Sequence, residues 1–183
     1  GKKGIKVIPC YYKKDYPEWS DRGDGPGAPV AVHLPNSPVI STGKRDGSKI
    51  RLPNGNYLEE TASYFIMVET KTGGFTPALI TMKSTQLNVS KKWNSMMKTI
   101  QIPDGKGGFA IPPMHGVVYN LASTLQKNDK GSWYGWVVTQ DRIMGQDDKA
   151  LYLSAKEFAG NVSKGSVQTK ADVEEKVSDS TPY

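Results

Sequence analysis

At 183 residues the chain can bury a core without disulfides or metals, and its length points to one domain with trimmings. No apolar run approaches the roughly 18 residues of a membrane-crossing helix, and no secretory leader is visible. The single cysteine, Cys10, allows no intramolecular disulfide, so a cytoplasmic location is expected, with no membrane partner. The 24 Lys and Arg exceed the 18 Asp and Glu by 6, and the excess is uneven. Residues 171–183 hold one of the cations and four of the anions, which leaves 23 against 14, or +9, on the preceding 170. Such asymmetry speaks to partners rather than fold, and it favours a nucleic acid or another anionic surface.

In chain order, 3–12 alternates and ends in β-formers, which predicts a first strand. Gly and Pro dominate 21–29, a loop, and 30–33 reads as a short strand. Residues 35–38 and 42–56 read as irregular, and Lys44, Arg45, Lys49 and Arg51 make the second of these basic. The run Tyr64 to Val68 predicts a strand within 57–70. A Gly-Gly turn at 71–74 and a partner strand over 75–83 follow. The period then changes to three or four through Leu87, Ser90, Trp93 or Asn94, Met97 and Ile100, which predicts a helix over about 85–100. After a Gly/Pro loop at 103–113, a strand at 117–126, a turn at 127–132 and a strand at 133–140 form a second hairpin. A second helix begins near Asp147 or Asp148, with Leu151, Ala155, Phe158, Ala159 and Val162 as its apolar stripe. From Gly165 the residues are polar with few apolar anchors, and a mostly disordered tail is expected.

This order matches a mainly β fold, an OB-fold-like five-stranded Greek-key barrel with a helix between strands 3 and 4 and an extra C-terminal helix. Residues 1–164 form the expected OB-like single-stranded nucleic-acid-binding domain and 165–183 a flexible acidic tail.

Lysines beside flat rings suit a flexible polyanion with exposed bases, and each stacked base contributes roughly 1–3 kcal/mol. Two clusters carry that pattern. Tyr11, Tyr12, Lys13, Lys14 and Tyr16 run on to Trp19 and Arg22, with Lys44 and Arg45 in the basic loop beyond. Lys127, Lys130 and Trp133 belong to the last hairpin. Tyr11 and Tyr12 cannot both face inward from one strand, and Trp19 lies in a polar stretch where a large ring is hard to bury. On the final strand Tyr134, Trp136 and Val138 form the better core face, which leaves Trp133 toward the open one. Lys91-Lys92-Trp93 looks similar, but Trp93 falls on the apolar stripe of its helix and is expected in the core. Against the functional reading, the same rings serve equally to cover the ends of a barrel.

Catalytic signals are sparse. His33, His115 and Cys10 show no zinc spacing, and Gly105-Lys106-Gly107-Gly108 lacks the spacing and the hydroxyl of a phosphate loop. Cys10 reads as a small buried hydrophobe rather than a nucleophile. Asp147-Asp148 and Glu59-Glu60 are surface pairs or, in a nuclease, metal ligands. No cofactor is expected and no enzyme activity.

Val7-Ile8-Pro9-Cys10-Tyr11-Tyr12 through Tyr16 and Trp19 resembles phage-encoded single-stranded DNA-binding proteins of the OB-fold type. So do Pro77 to Ile80, Ser84 to Leu87 with Lys92 to Met97, and Lys130 to Trp136. The resemblance covers most of 3–162. It implies sequence-tolerant, cooperative or homo-oligomeric coating of single strands, protecting or annealing them in replication and recombination in a bacterial host. Proteins of this class often end in an acidic stretch capped by an aromatic that docks replication or recombination proteins. Here Asp179, Pro182 and Tyr183 would fill that role. The acids are few, Lys176 interrupts them, and the last residue is Tyr rather than Phe. Two other readings compete: a phage protein–protein interaction module acting on a host enzyme, and a metal-dependent nuclease.

Overall fold

A computed structural model describes residues 4–21, 27–129 and 131–167. Its elements begin with β1 (Ile5–Trp19), β2 (Ala31–His33), α1 (Pro38–Thr42), β3 (Lys44–Asp46), β4 (Lys49–Arg51), β5 (Tyr57–Glu59), β6 (Thr61–Glu69) and β7 (Phe75–Lys83). They continue with α2 (Leu87–Thr99), β8 (Ile102–Pro103), β9 (Phe109–Ala110), β10 (Val117–Asn128), β11 (Gly131–Ile143) and α3 (Lys149–Ser163).

The long strands run in the order β7-β6-β1-β10-β11, each antiparallel to the next. Their alternation decides the core. Tyr64 and Ile66 of β6, Met82 of β7, and Val117, Tyr119 and Leu121 of β10 bury their side chains on one face, with Val7 of β1. The sheet curls around this cluster as a half-barrel, and α2 fills the hollow with Trp93 and Met97. Trp93 is fully buried, stacked 4.4 Å from the Tyr64 ring and edge-on to Tyr119 at 5.6 Å. The Tyr64 hydroxyl lies 2.8 Å from Ser90 Oγ, so the one polar atom of that ring is satisfied at the helix. On the reverse face, Ile8, Cys10, Met67 and Val118 are covered by Ala155, Leu151, Phe158 and Ala159 of α3. The stripe expected for the second helix is therefore the face it buries.

One residue breaks the alternation. Pro9 pairs with Ile66 but Tyr11 pairs with Phe65, so Cys10 is the extra residue of a bulge. Val7 faces the main core, and after the bulge Tyr12 does so too, although an odd and an even number would otherwise point apart. Burial pushes the Cys10 thiol up to about 12, so it packs as a small hydrophobe and carries no thiolate near neutral pH.

The first strand is longer than the 3–12 expected. It continues to Trp19 because β6 pairs with it as far as Asp15, after which β2 and β5 take over. The stretch read as irregular, 42–56, is ordered as well. β3 and β4 form a hairpin around Gly47, whose φ of +59° suits glycine, and β4 pairs on to β5. Together β2, the end of β1, β5, β4 and β3 make a small second sheet. Ile50, Leu52 and Leu58 are buried on one of its faces, with Val39 and Ile40 of α1 packed against them. The hairpin itself is local, but its anchorage through β5 and β2 to β1 joins residues far apart in sequence, which local periodicity does not register. The 70–74 turn closes as expected, with Thr70 N–H donating to Gly74 O at 2.7 Å. The last hairpin is tighter than 127–132, since its ladder reaches Asn128 opposite Gly131.

No ladder joins β7 to β11 among the described residues. Instead Gln86, between β7 and α2, accepts the Trp136 backbone N–H on its Oε1 at 2.9 Å, so one side chain bridges the gap. Among the described residues no helix is long and apolar enough to cross a membrane.

Candidate functional site

The alternation of β1 distributes the first predicted cluster over two faces. Tyr12 packs against the main core with its ring 4.9 Å from Tyr64, and Tyr16 packs on the Ile50–Leu58 cluster. Tyr11 lies edge-on to Phe65 at 6.1 Å on the other face. Lys13 pairs with Asp15 at 3.3 Å and Lys14 with Glu60 at 2.7 Å, and the bond to Glu60 raises the Lys14 pKa. These rings thus pack on core residues while staying partly exposed. Lys44 and Arg45 are exposed on β3, and Lys127 is exposed at the end of β10. Arg22 and Lys130 fall outside the described residues, as do Asp179, Pro182 and Tyr183.

Trp19 is half-buried at the end of β1, and Lys83 Nζ stands 5.3 Å from its ring centroid. Lys83 is also held at 2.7 Å by Glu59. On the last hairpin, Trp133 is half-buried and lines a shallow cavity of about 310 Å³ with Thr85, Asn128, Gly131 and Ser132. Neither indole Nε1, of Trp19 or of Trp133, has a hydrogen-bond partner among the described residues, although both are buried. Trp136 and Val138 pack on the core as expected, but Tyr134 is 67 % exposed. Tyr134 pairs with Leu125, itself 60 % exposed, at a point where the hairpin has outrun the core beneath it.

The link between the two clusters is the junction from β7 to α2. Lys83 reaches Trp19, and two residues on Thr85 reaches the Trp133 cavity. Ser84 between them has φ +49°, the one non-glycine in the left-handed region among the described residues. Such a conformation costs of order 1 kcal/mol and persists where the surroundings over-determine it. Here the neighbours are the Lys83–Glu59 pair on one side and the Gln86–Trp136 bond on the other. Sequence reasoning placed the start of a helix here and missed Lys83 and Thr85, because neither sits beside an aromatic in sequence. It also missed Tyr57, which pairs directly with Trp19 and carries Lys49 Nζ at 3.6 Å from its ring centroid.

Residues 1–168 match the family described as Pam3 phage gp34-like protein. The chain belongs to that family. A phage protein is what the sequence pattern implied, and the match spans Trp19, Lys83, Thr85 and Trp133 together. Among curated proteins and solved structures, none matches the chain.

In this gp34-like protein three of the four carboxylates singled out as metal ligands have other partners. Glu59 pairs with Lys83, Glu60 with Lys14, and Asp148 with Arg142 while accepting the Gly145 N–H at 2.9 Å. The Arg142 guanidinium holds the Asp148 carboxyl below its usual range. Among the described residues no group of three or more His, Cys, Asp or Glu converges to hold a metal ion. His33 Nε2 lies 2.7 Å from Glu18 Oε2. That carboxylate also accepts from Asn56 Nδ2 at 2.6 Å and Asn54 Nδ2 at 3.2 Å, so it ties β2 and the β4–β5 turn to β1.

Proposed function

We propose that this gp34-like protein is a non-enzymatic, sequence-tolerant single-stranded DNA-binding protein built on an OB-type barrel. The strand order third, second, first, fourth, fifth, with α2 between the third and fourth long strands, is the order of that fold, although the β7 and β11 edges meet through Gln86 rather than a ladder. In such barrels the face of the second and third strands forms the groove together with the loop between the first and second strands, which Trp19 opens, and the loop between the fourth and fifth, beside Trp133. The observation that carries the reading is the β7–α2 junction. It sets Lys83 over Trp19 and Thr85 beside Trp133, so the two tryptophans flank one short basic and polar segment. Rings with adjacent cations suit stacked bases and their phosphates whatever the sequence. The acidic tail with Asp179, Pro182 and Tyr183 is proposed to dock replication or recombination proteins, and strand protection or annealing is the proposed role.

Fluorescently labelled single-stranded DNA, single-stranded RNA and duplex DNA, each titrated with and without magnesium, test this. Tight binding of single-stranded DNA is expected, with log affinity falling by about 0.7 per phosphate contact for each log unit of salt. Preference for RNA moves the substrate. Absence of affinity for any oligonucleotide favours the protein-interaction module, and cleavage that needs magnesium favours the nuclease.

A further inference from the structure

The small sheet grafted on the end of β1 has two unlike faces. One is apolar and covered by α1, with Ile50, Leu52 and Leu58 buried. On the other, residues paired directly across strands stand side by side. Trp19 pairs with Tyr57, Tyr57 with Arg51, and Arg51 with Lys44. These four form a row across β1, β5, β4 and β3, about 14 Å long from three strand spacings. The row begins at the tryptophan that Lys83 already covers.

We infer that this row is a second nucleotide station, with a nucleobase stacking on Tyr57 and its flanking phosphates held by Lys49 and Arg51. The inference rests on the single-stranded DNA reading and extends its path beyond Trp19. Tyr57 is partly exposed and has a cation on it from each of two positions, Lys49 Nζ at 3.6 Å and the Arg51 guanidinium at 5.5 Å from the ring centroid. A ring with two donors beside it offers both halves of a nucleotide contact. Arg51 is bound to Asp21 at 3.2 Å and Asp46 at 3.5 Å, through side chains 64 % and 68 % exposed. Ion pairs that exposed are weak and screened by salt, so a phosphate can take the place of either carboxylate. Glu59, the other acid on this face, is held by Lys83. A row perpendicular to the strands also leads the chain of bases across the sheet rather than along one strand, which keeps successive rings within reach of successive bases.

The test uses the full chain and a labelled oligo-dT long enough to pass both stations. Tyr57→Ala is expected to weaken binding on the order of tenfold, from the loss of one stacked base. Tyr57→Phe, which keeps the ring, is expected to bind as the unmodified protein does. Lys49→Ala with Arg51→Ala is expected to lower the salt slope by about 1.4, or 0.7 for each of two phosphates. This double substitution on partly exposed positions carries the test even where Tyr57→Ala fails to fold. The station is overturned if the unmodified protein binds while the double variant keeps both its affinity and its salt slope. If the unmodified protein fails to bind the oligonucleotide, the broader DNA-binding reading falls, and the two failures are thereby told apart.

Discussion

Gln86 accepts the backbone N–H of Trp136 on its side-chain oxygen at 2.9 Å, across 50 positions of sequence. The bond spans the open side of the half-barrel, where β7 and β11 have no ladder of their own among the described residues. Gly135, next to Trp136, makes room for it: a Cβ there would come within 2.6 Å of Gln86 Nε2 and 2.5 Å of Gln126 Nε2. Gln86→Ala is expected to cost about 1 kcal/mol, because the part-buried amide loses its acceptor. Hydrogen exchange should show the Trp136 amide losing protection while the β1–β6 ladder keeps its own. Equal loss across both would mean that the bond only contributes to global stability.

The tryptophans should separate by role. Trp93→Ala removes a fully buried ring from between Tyr64 and Tyr119 and is expected to destabilise by about 3–5 kcal/mol in urea unfolding. Trp19→Ala and Trp133→Ala are expected to unfold much nearer the parent midpoint and to weaken oligo-dT binding by roughly 1–3 kcal/mol each. Unchanged affinity in both would remove stacking from the mechanism.

Lys83 makes contacts with both Trp19 and Glu59, and its role in binding can be isolated by charge. Lys83→Gln is expected to reduce the salt slope by about 0.7, one phosphate contact. Lys91→Gln, on the exposed face of α2, should leave the slope unchanged, and competition titrations at several salt concentrations compare the two directly.

Glu18 should make the small sheet acid-labile. Its carboxyl is held below the usual carboxylate value first by the Asn56 amide, with His33 and Asn54 adding to that. A depressed folded pKa stabilises above the ordinary carboxylate value, and that contribution is lost as pH falls through the folded one. Thermal unfolding between pH 7 and 3 should therefore show a decline below the ordinary Glu range that Glu18→Gln flattens. At pH 7 the same substitution should cost about 1.5–3 kcal/mol, the loss of hydrogen bonds to a charged group.

Much of the fold is legible in local pattern. The Tyr64–Val68 run, the Gly73–Gly74 turn, the three-to-four period through Trp93 and Met97, and the stripe from Leu151 to Val162 each report burial within a few residues. The structure places those elements where expected. The charge asymmetry of the chain and the phage character of its sequence pattern were likewise available without coordinates.

Tertiary structure decided the rest, through contacts between residues distant in sequence and through where the core ends. The bulge at Cys10 returned Tyr12 to the core side, which period two cannot foresee. Lys44–Asp46 and Lys49–Arg51 became a strand hairpin anchored to the rest because β1 runs on to offer β5 an edge and β5 pairs with β4. Tyr134, apolar in pattern, stands exposed because the hairpin outruns the core. Above all, sequence alone picked out two basic and aromatic clusters more than a hundred positions apart. Only folding put Lys83 and Thr85 between them, because the turn at Ser84 brings the end of one strand and the start of one helix to both tryptophans at once.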